Sequence, residues 1–165
     1  MSTNTSKYRD RMSAAHAESP APVAQLATLE KAYLSAAYCL EIEGNSRVLY
    51  IDQPAEDVTA WMAERDMQRL VLFTACNPGS RPGTEGENIQ RQRRLEQTVA
   101  EHGLRAWPAR NRDPRGQWPD EPGLAIADLP DDLLARWLEA FGQNAAVLLE
   151  PPARPRLVWH PGLGR

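Results

Sequence analysis

The residues best equipped for chemistry in this chain stand where an apolar run stops. Leu70–Phe73 is followed at once by Thr74, Ala75, Cys76, Asn77, Pro78, Gly79 and Ser80. Gly79 permits close approach of a ligand to the backbone, while Asn77, Ser80 and Arg81 offer an amide, a hydroxyl and a positive charge. A strand, a Gly/Ser turn and the start of a helix together form a common anion-binding geometry, because free N–H groups and the helix dipole converge there. Asn88 and Gln92 share a helical stripe with Leu95 and Val99, so two amides point inward beside the turn. Inward amides need partners, either the backbone of the 74–83 loop or a ligand.

Glu121 is the one candidate acid or base. It follows Trp118 in a proline-flanked loop, and a carboxyl held against an indole can titrate high enough to move protons. The plainer readings are a carboxylate that caps backbone N–H groups or pairs with Arg112 or Arg115, with Asp120 as its neighbouring alternative. Trp118 is either a loop anchor or a stacking platform. Gln143 follows Gly142 and is expected to touch the Asn77 loop if the two flanking strands are neighbours. Cys76 occupies a strand end, but a nucleophilic thiol needs a base and electropositive surroundings. His102 falls at the far end of the following helix, about 20 Å from its start at 1.5 Å per residue. A packed thiol is therefore expected. Neither the His nor the Cys spacing suits a metal, and no metal or cofactor is expected.

These residues need elements to hold them. A strand over 69–75, a helix over 84–102 ended by Gly103, and a strand over 104–109, placed at an edge or cut short by Pro108, surround the turn. Residues 111–122 contain too many breakers for regular structure and read as a long loop, followed by a strand over 123–127. Asp128 is expected to cap a helix carrying Leu134, Trp137, Leu138 and Phe141, and 145–149 reads as a further strand. Earlier in the chain come a helix over 22–36, a hairpin over 38–51 and a helix from Pro54 to about Asp66. The prediction is a single α/β (or α+β) domain over 22–159, with a mixed sheet of five to seven strands flanked by about four helices. Residues 1–21 read as a disordered tail and 160–165 as a frayed end.

The composition is that of an ordinary globular domain: 165 residues, 42% hydrophobic and 25% charged. Its net charge of -3 argues against a dedicated nucleic-acid binder, although the stretch Arg81–Arg115 is locally basic. Two cysteines are too few for a disulfide framework, and no signal or membrane span is visible. A soluble cytoplasmic protein is expected.

Thr74–Ser80, Asn88, Trp118-Pro119-Asp120-Glu121 and Phe141-Gly142-Gln143-Asn144, in this order, resemble the uncharacterised bacterial DUF3293 family over about 29–149. The resemblance implies a polar set of Asn77, Ser80, Asn88, Trp118, Glu121 and Gln143, and no mechanism. Gly123 departs from it, since Ser is implied there, and Cys76 stands where other residues are usual. A fainter similarity links Asn77-Pro78-Gly79 and Ser80 to the first motif of the mismatch-specific uracil glycosylases, which hold a flipped base in a pocket. The leading Gly of that motif is absent, and His160-Pro161-Gly162 is a poor echo of the second.

Three functions follow as expectations. The first is a site for a small anionic or nucleotide-type ligand walled by Asn77, Gly79, Ser80, Arg81, Asn88, Trp118 and Gln143, with Glu121 as its acid or base. The second is a non-catalytic interaction domain in which the same amides lock a loop onto the sheet. The remote third is uracil-glycosylase-like base chemistry, which requires the arginines of 81–115 to line one groove.

Overall fold

The computed structural model describes residues 23–165, and the expected 1–21 tail lies outside them. Among the described residues the order is α1 (Val23–Ser35), β1 (Ala37–Ile42), β2 (Asn45–Leu49), α2 (Glu56–Glu64), β3 (Leu70–Phe73), α3 (Glu85–Glu101), β4 (Ala106–Arg112), β5 (Glu121–Ala127), α4 (Asp131–Ala140), β6 (Ala145–Leu149) and β7 (Arg156–Trp159). Short 3-10 turns occupy Pro78–Ser80 and Pro161–Leu163.

All seven strands form one sheet in the order β2-β1-β4-β5-β3-β6-β7. The α/β class, the helix count and the strand count agree with the sequence. The expected mixture of parallel and antiparallel pairs does not occur, because every pair is antiparallel. α3 does not join β3 to a neighbouring strand. Instead β5 inserts between β3 and β4 and runs against both.

β4 is a central strand rather than an edge. Pro108 is tolerated there because the pairing of β4 with β1 begins at Ala109, so one flank beside the proline carries no ladder. Asp128 does not cap α4, whose N-cap is Pro130 without a side-chain bond. Its Oδ1 accepts instead from the backbone N–H groups of Gln68 and Arg69, at 2.8 and 3.2 Å.

Alternation along the strands divides the core between two faces. On one face Val71, Phe73, Leu124, Ile126, Ala146 and Leu148 pack under α3 and α4. Leu134, Trp137 and Leu138 recur at helical spacing and give α4 its buried side, each such side chain worth about 1.5–3 kcal/mol. On the opposite face Leu70, Leu72, Ala125, Val147 and Leu149 meet Val58, Trp61 and Met62 of α2. α2 covers only the end of this face that lies near the β1–β2 turn. The other end is roofed by α1.

Candidate functional site

The turn after β3 is built by its own side chains. Thr74 Oγ1 donates to Pro122 O at 2.9 Å and accepts from Cys76 N at 3.1 Å. Three residues of positive φ within four positions then shape the chain: Asn77 at 47°, Gly79 at 64° and Ser80 at 59°, with Pro78 between the first two. Asn77 is one of the few non-glycine types that tolerate this region, and its side chain helps hold it there. Asn77 Oδ1 accepts from Gly83 N at 2.9 Å and from Asn88 Nδ2 at 2.8 Å, while Asn88 Oδ1 accepts from Asn77 N at 3.0 Å.

A second set of bonds ties this turn to β6. Gln143 Nε2 donates to Cys76 O at 3.1 Å, and Gly79 N donates to Gly142 O at 2.7 Å. The contact expected between Gln143 and the Asn77 loop is thus present, and it follows from β3 and β6 being neighbours. Ser80 Oγ lies 2.6 Å from Tyr33 Oη and accepts from Asn144 Nδ2 at 3.0 Å. Tyr38 Oη donates to Tyr33 O at 2.6 Å. Two tyrosines therefore fasten α1 to the body.

Beneath α1 lies a cavity of about 580 Å³. Its floor is the apolar face at Tyr38, Leu72, Val147 and Leu157, and its polar wall is Thr74, Asn77, Asn111, Glu121 and Gln143. Lys31 from α1 and Arg112 and Arg115 from the end of β4 and its loop add three cations. Among the described residues Lys31 and Arg112 form no ion pair, whereas Arg115 lies 3.7 Å from Asp113. Asp113 is already committed to the loop: it accepts from the backbone N–H groups of Arg115, Gln117 and Trp118. The first of these bonds is the main reason its carboxyl lies below the ordinary range.

Asp113 thereby positions Trp118, and Trp118 Nε1 donates to Glu121 Oε1. Burial pushes the Glu121 carboxyl above its ordinary value, against the hydrogen bonds from Trp118 and Asn77 that pull it down. Burial likewise raises the Tyr33 and Tyr38 hydroxyls and the Cys76 thiol, and the nearby Glu121 charge adds to each rise. A thiol held neutral, with Pro122 O rather than a base as its neighbour at 3.6 Å, is a packing group.

Of the residues expected at the site, Asn77, Ser80, Trp118, Glu121 and Gln143 line the cavity. Gly79, Arg81 and Asn88 do not. Asn88 stands behind the turn as its brace, and Arg81 is exposed. The start of α3 is occupied by its own chain, since Thr84 Oγ1 accepts from Glu87 N and Glu85 and Glu87 fill the first turn. Tyr33, Asn111, Lys31 and Arg112 were missed. Tyr33 shares a helical stripe with Leu26 and Leu29 and passes for core. Only strand pairing brings Asn111 opposite Glu121.

The arginines of 81–115 do not share one groove. Arg91 pairs with Glu87, Arg105 with Asp128 and Arg110 with Asp120, while Arg94 stacks over Phe141. No helix among the described residues is long and apolar enough to cross a membrane, and no group of His, Cys, Asp and Glu among them suits a metal ion.

Fold and site together define a single α/β-type domain with a cavity of apolar floor and polar wall, roofed by one helix at one end of its sheet. Residues 73–146 match the model of a family described as Protein of unknown function (DUF3293), in agreement with the resemblance carried by the motifs. The match takes in the turn, α3, β4, β5 and α4, and leaves α1 outside it. No curated protein and no solved structure matches the chain.

Proposed function

We propose that the protein binds a small molecule carrying an anionic group in the cavity beneath α1. The observation that carries this reading is the composition of that space: a volume of about 580 Å³ with an apolar floor, a half-buried carboxyl and three cations. Such a volume falls within the range of small-molecule sites, which pair apolar walls with a few fixed polar groups. Lys31 and Arg112 supply charge that no described side chain neutralises. Glu121 is the group through which any acid–base step would run, because burial raises its carboxyl above the ordinary value while Asp113, the other cavity carboxyl, is lowered.

A thermal-shift screen with nucleotides, phosphosugars and dicarboxylates tests the reading. A ligand present at a hundred times its Kd adds about 2.7 kcal/mol, a shift of several degrees. That shift should vanish in a Lys31→Ala/Arg112→Ala variant that remains folded. A panel that leaves Tm unchanged rejects the reading. It would favour the second one, a non-catalytic interaction domain, which draws on the fact that the Asn88 and Gln143 amides already have protein partners.

A further inference from the structure

Glu121 and Asn111 are register partners on β5 and β4, and Tyr38 on β1 is the next partner in the same row. All three line the cavity. Cross-strand partners place their Cβ atoms about 4.5–5.5 Å apart, so a carboxyl and an amide stand side by side. A carboxylate offers roughly four acceptor positions. Trp118 and Asn77 occupy two of these, so by this count two acceptor positions remain. The Asn111 side chain makes no hydrogen bond among the described residues, so its N–H donors are free for a ligand acceptor. Trp118 and Tyr38 add two aromatic side chains to the same cavity lining.

We propose that the cavity takes a guanine nucleotide, its base on Glu121 and Asn111 and its phosphate at Lys31, Arg112 and Arg115. This rests on the reading of the cavity as an anionic-ligand site and names the class of ligand. The argument is one of matched edges. Guanine presents two adjacent donors, N1–H and the N2 amino group, beside the O6 acceptor. The donors meet the Glu121 carboxylate and O6 meets the Asn111 amide. Adenine turns an acceptor, N1, towards the carboxylate. Uracil and cytosine lack two adjacent donors on that edge. A pair of base-edge hydrogen bonds of this kind discriminates by about tenfold or more.

Calorimetric titration of the full chain with guanosine monophosphate, adenosine monophosphate and inorganic phosphate tests the proposal. Guanosine monophosphate should bind at least about tenfold tighter than adenosine monophosphate. Glu121→Gln should remove that preference, and Lys31→Ala/Arg112→Ala should weaken both nucleotides alike. Asn111→Ala gives an independent check should Glu121→Gln fail to fold: it should lower guanosine monophosphate affinity and leave phosphate affinity unchanged. Equal binding of the two nucleotides, or binding of inorganic phosphate alone, overturns the guanine assignment and leaves the anionic-ligand reading standing. Binding of nothing here, together with an unchanged Tm across the thermal-shift screen, removes both.

Discussion

The two faces of the sheet are covered in different ways. Under α3 and α4 the apolar side chains are close-packed, with Leu95, Leu134 and Leu138 almost fully shielded and Phe73 edge-on to both Trp137 and Phe141. On the opposite face α2 packs in the same manner at one end, but α1 stands off the sheet at the other. It is held there by hydroxyl bonds from Tyr33 and Tyr38, by an edge contact of Tyr33 with Trp159 and by a Glu30–Arg165 ion pair. One face is built to exclude everything, and the other keeps a space whose polar groups face inward. That space opens partly to solvent and is lined by a carboxyl, several amides and an apolar floor.

The largest expected effect breaks the tight face. Leu138→Ala should cost about 2–5 kcal/mol in denaturant unfolding, because the fully buried site cannot collapse. Leu157→Ala, on the half-buried cavity floor, should cost less than about half of that. Equal losses would mean that the two faces are packed alike.

A smaller effect is expected at Gly123, where β5 passes close to β3. A Cβ at this position would lie 2.3 Å from Phe73 O, a backbone atom that cannot swing away. Gly123→Ser should therefore destabilise by about 1–3 kcal/mol through overpacking. An unchanged unfolding midpoint would show that the strands have room to part.

The smallest effect sharpens the electrostatic side of the contrast. The Glu121 carboxyl is raised in the folded protein by burial, so the folded state holds this proton more tightly than the unfolded chain. Its contribution is complete below the ordinary value of 4.5 and is lost as pH rises through the raised one. Glu121→Gln should flatten this part of the profile, gaining on the wild type between acid and neutral pH. Parallel stability curves for the two proteins would refute the burial argument.

What the sequence made legible was local chemistry. The apolar run Leu70–Phe73, the breakers after it and the stripe of Asn88, Gln92, Leu95 and Val99 are short-range signals, and each appears in the structure as read. Gln143 reached the turn because β6 lies beside β3, as the expectation required. The cavity was not legible, because it depends on strand order. Nothing in the period of 106–112 says that β4 runs between β1 and β5, and only that placement sets Asn111 against both Tyr38 and Glu121. The helix start after the turn drew attention as an anion site, yet Thr84, Glu85 and Glu87 fill it, and the cations stand at the roof and at the end of β4 instead. Gly123 departed from the family pattern without an evident cause in sequence. The approach of Phe73 O supplies one.

Because neighbouring strands run in opposite directions, the connections sort themselves between two poles of the molecule. The 74–84 turn, the 113–120 loop and the helix-to-β6 link meet at the cavity pole. The β1–β2 hairpin turn at Glu43 and Gly44 belongs to the other, where Gly44 has open space around it. That hairpin is therefore a suitable place to splice a fluorophore or an affinity handle, at a remove from the chamber by the length of the sheet.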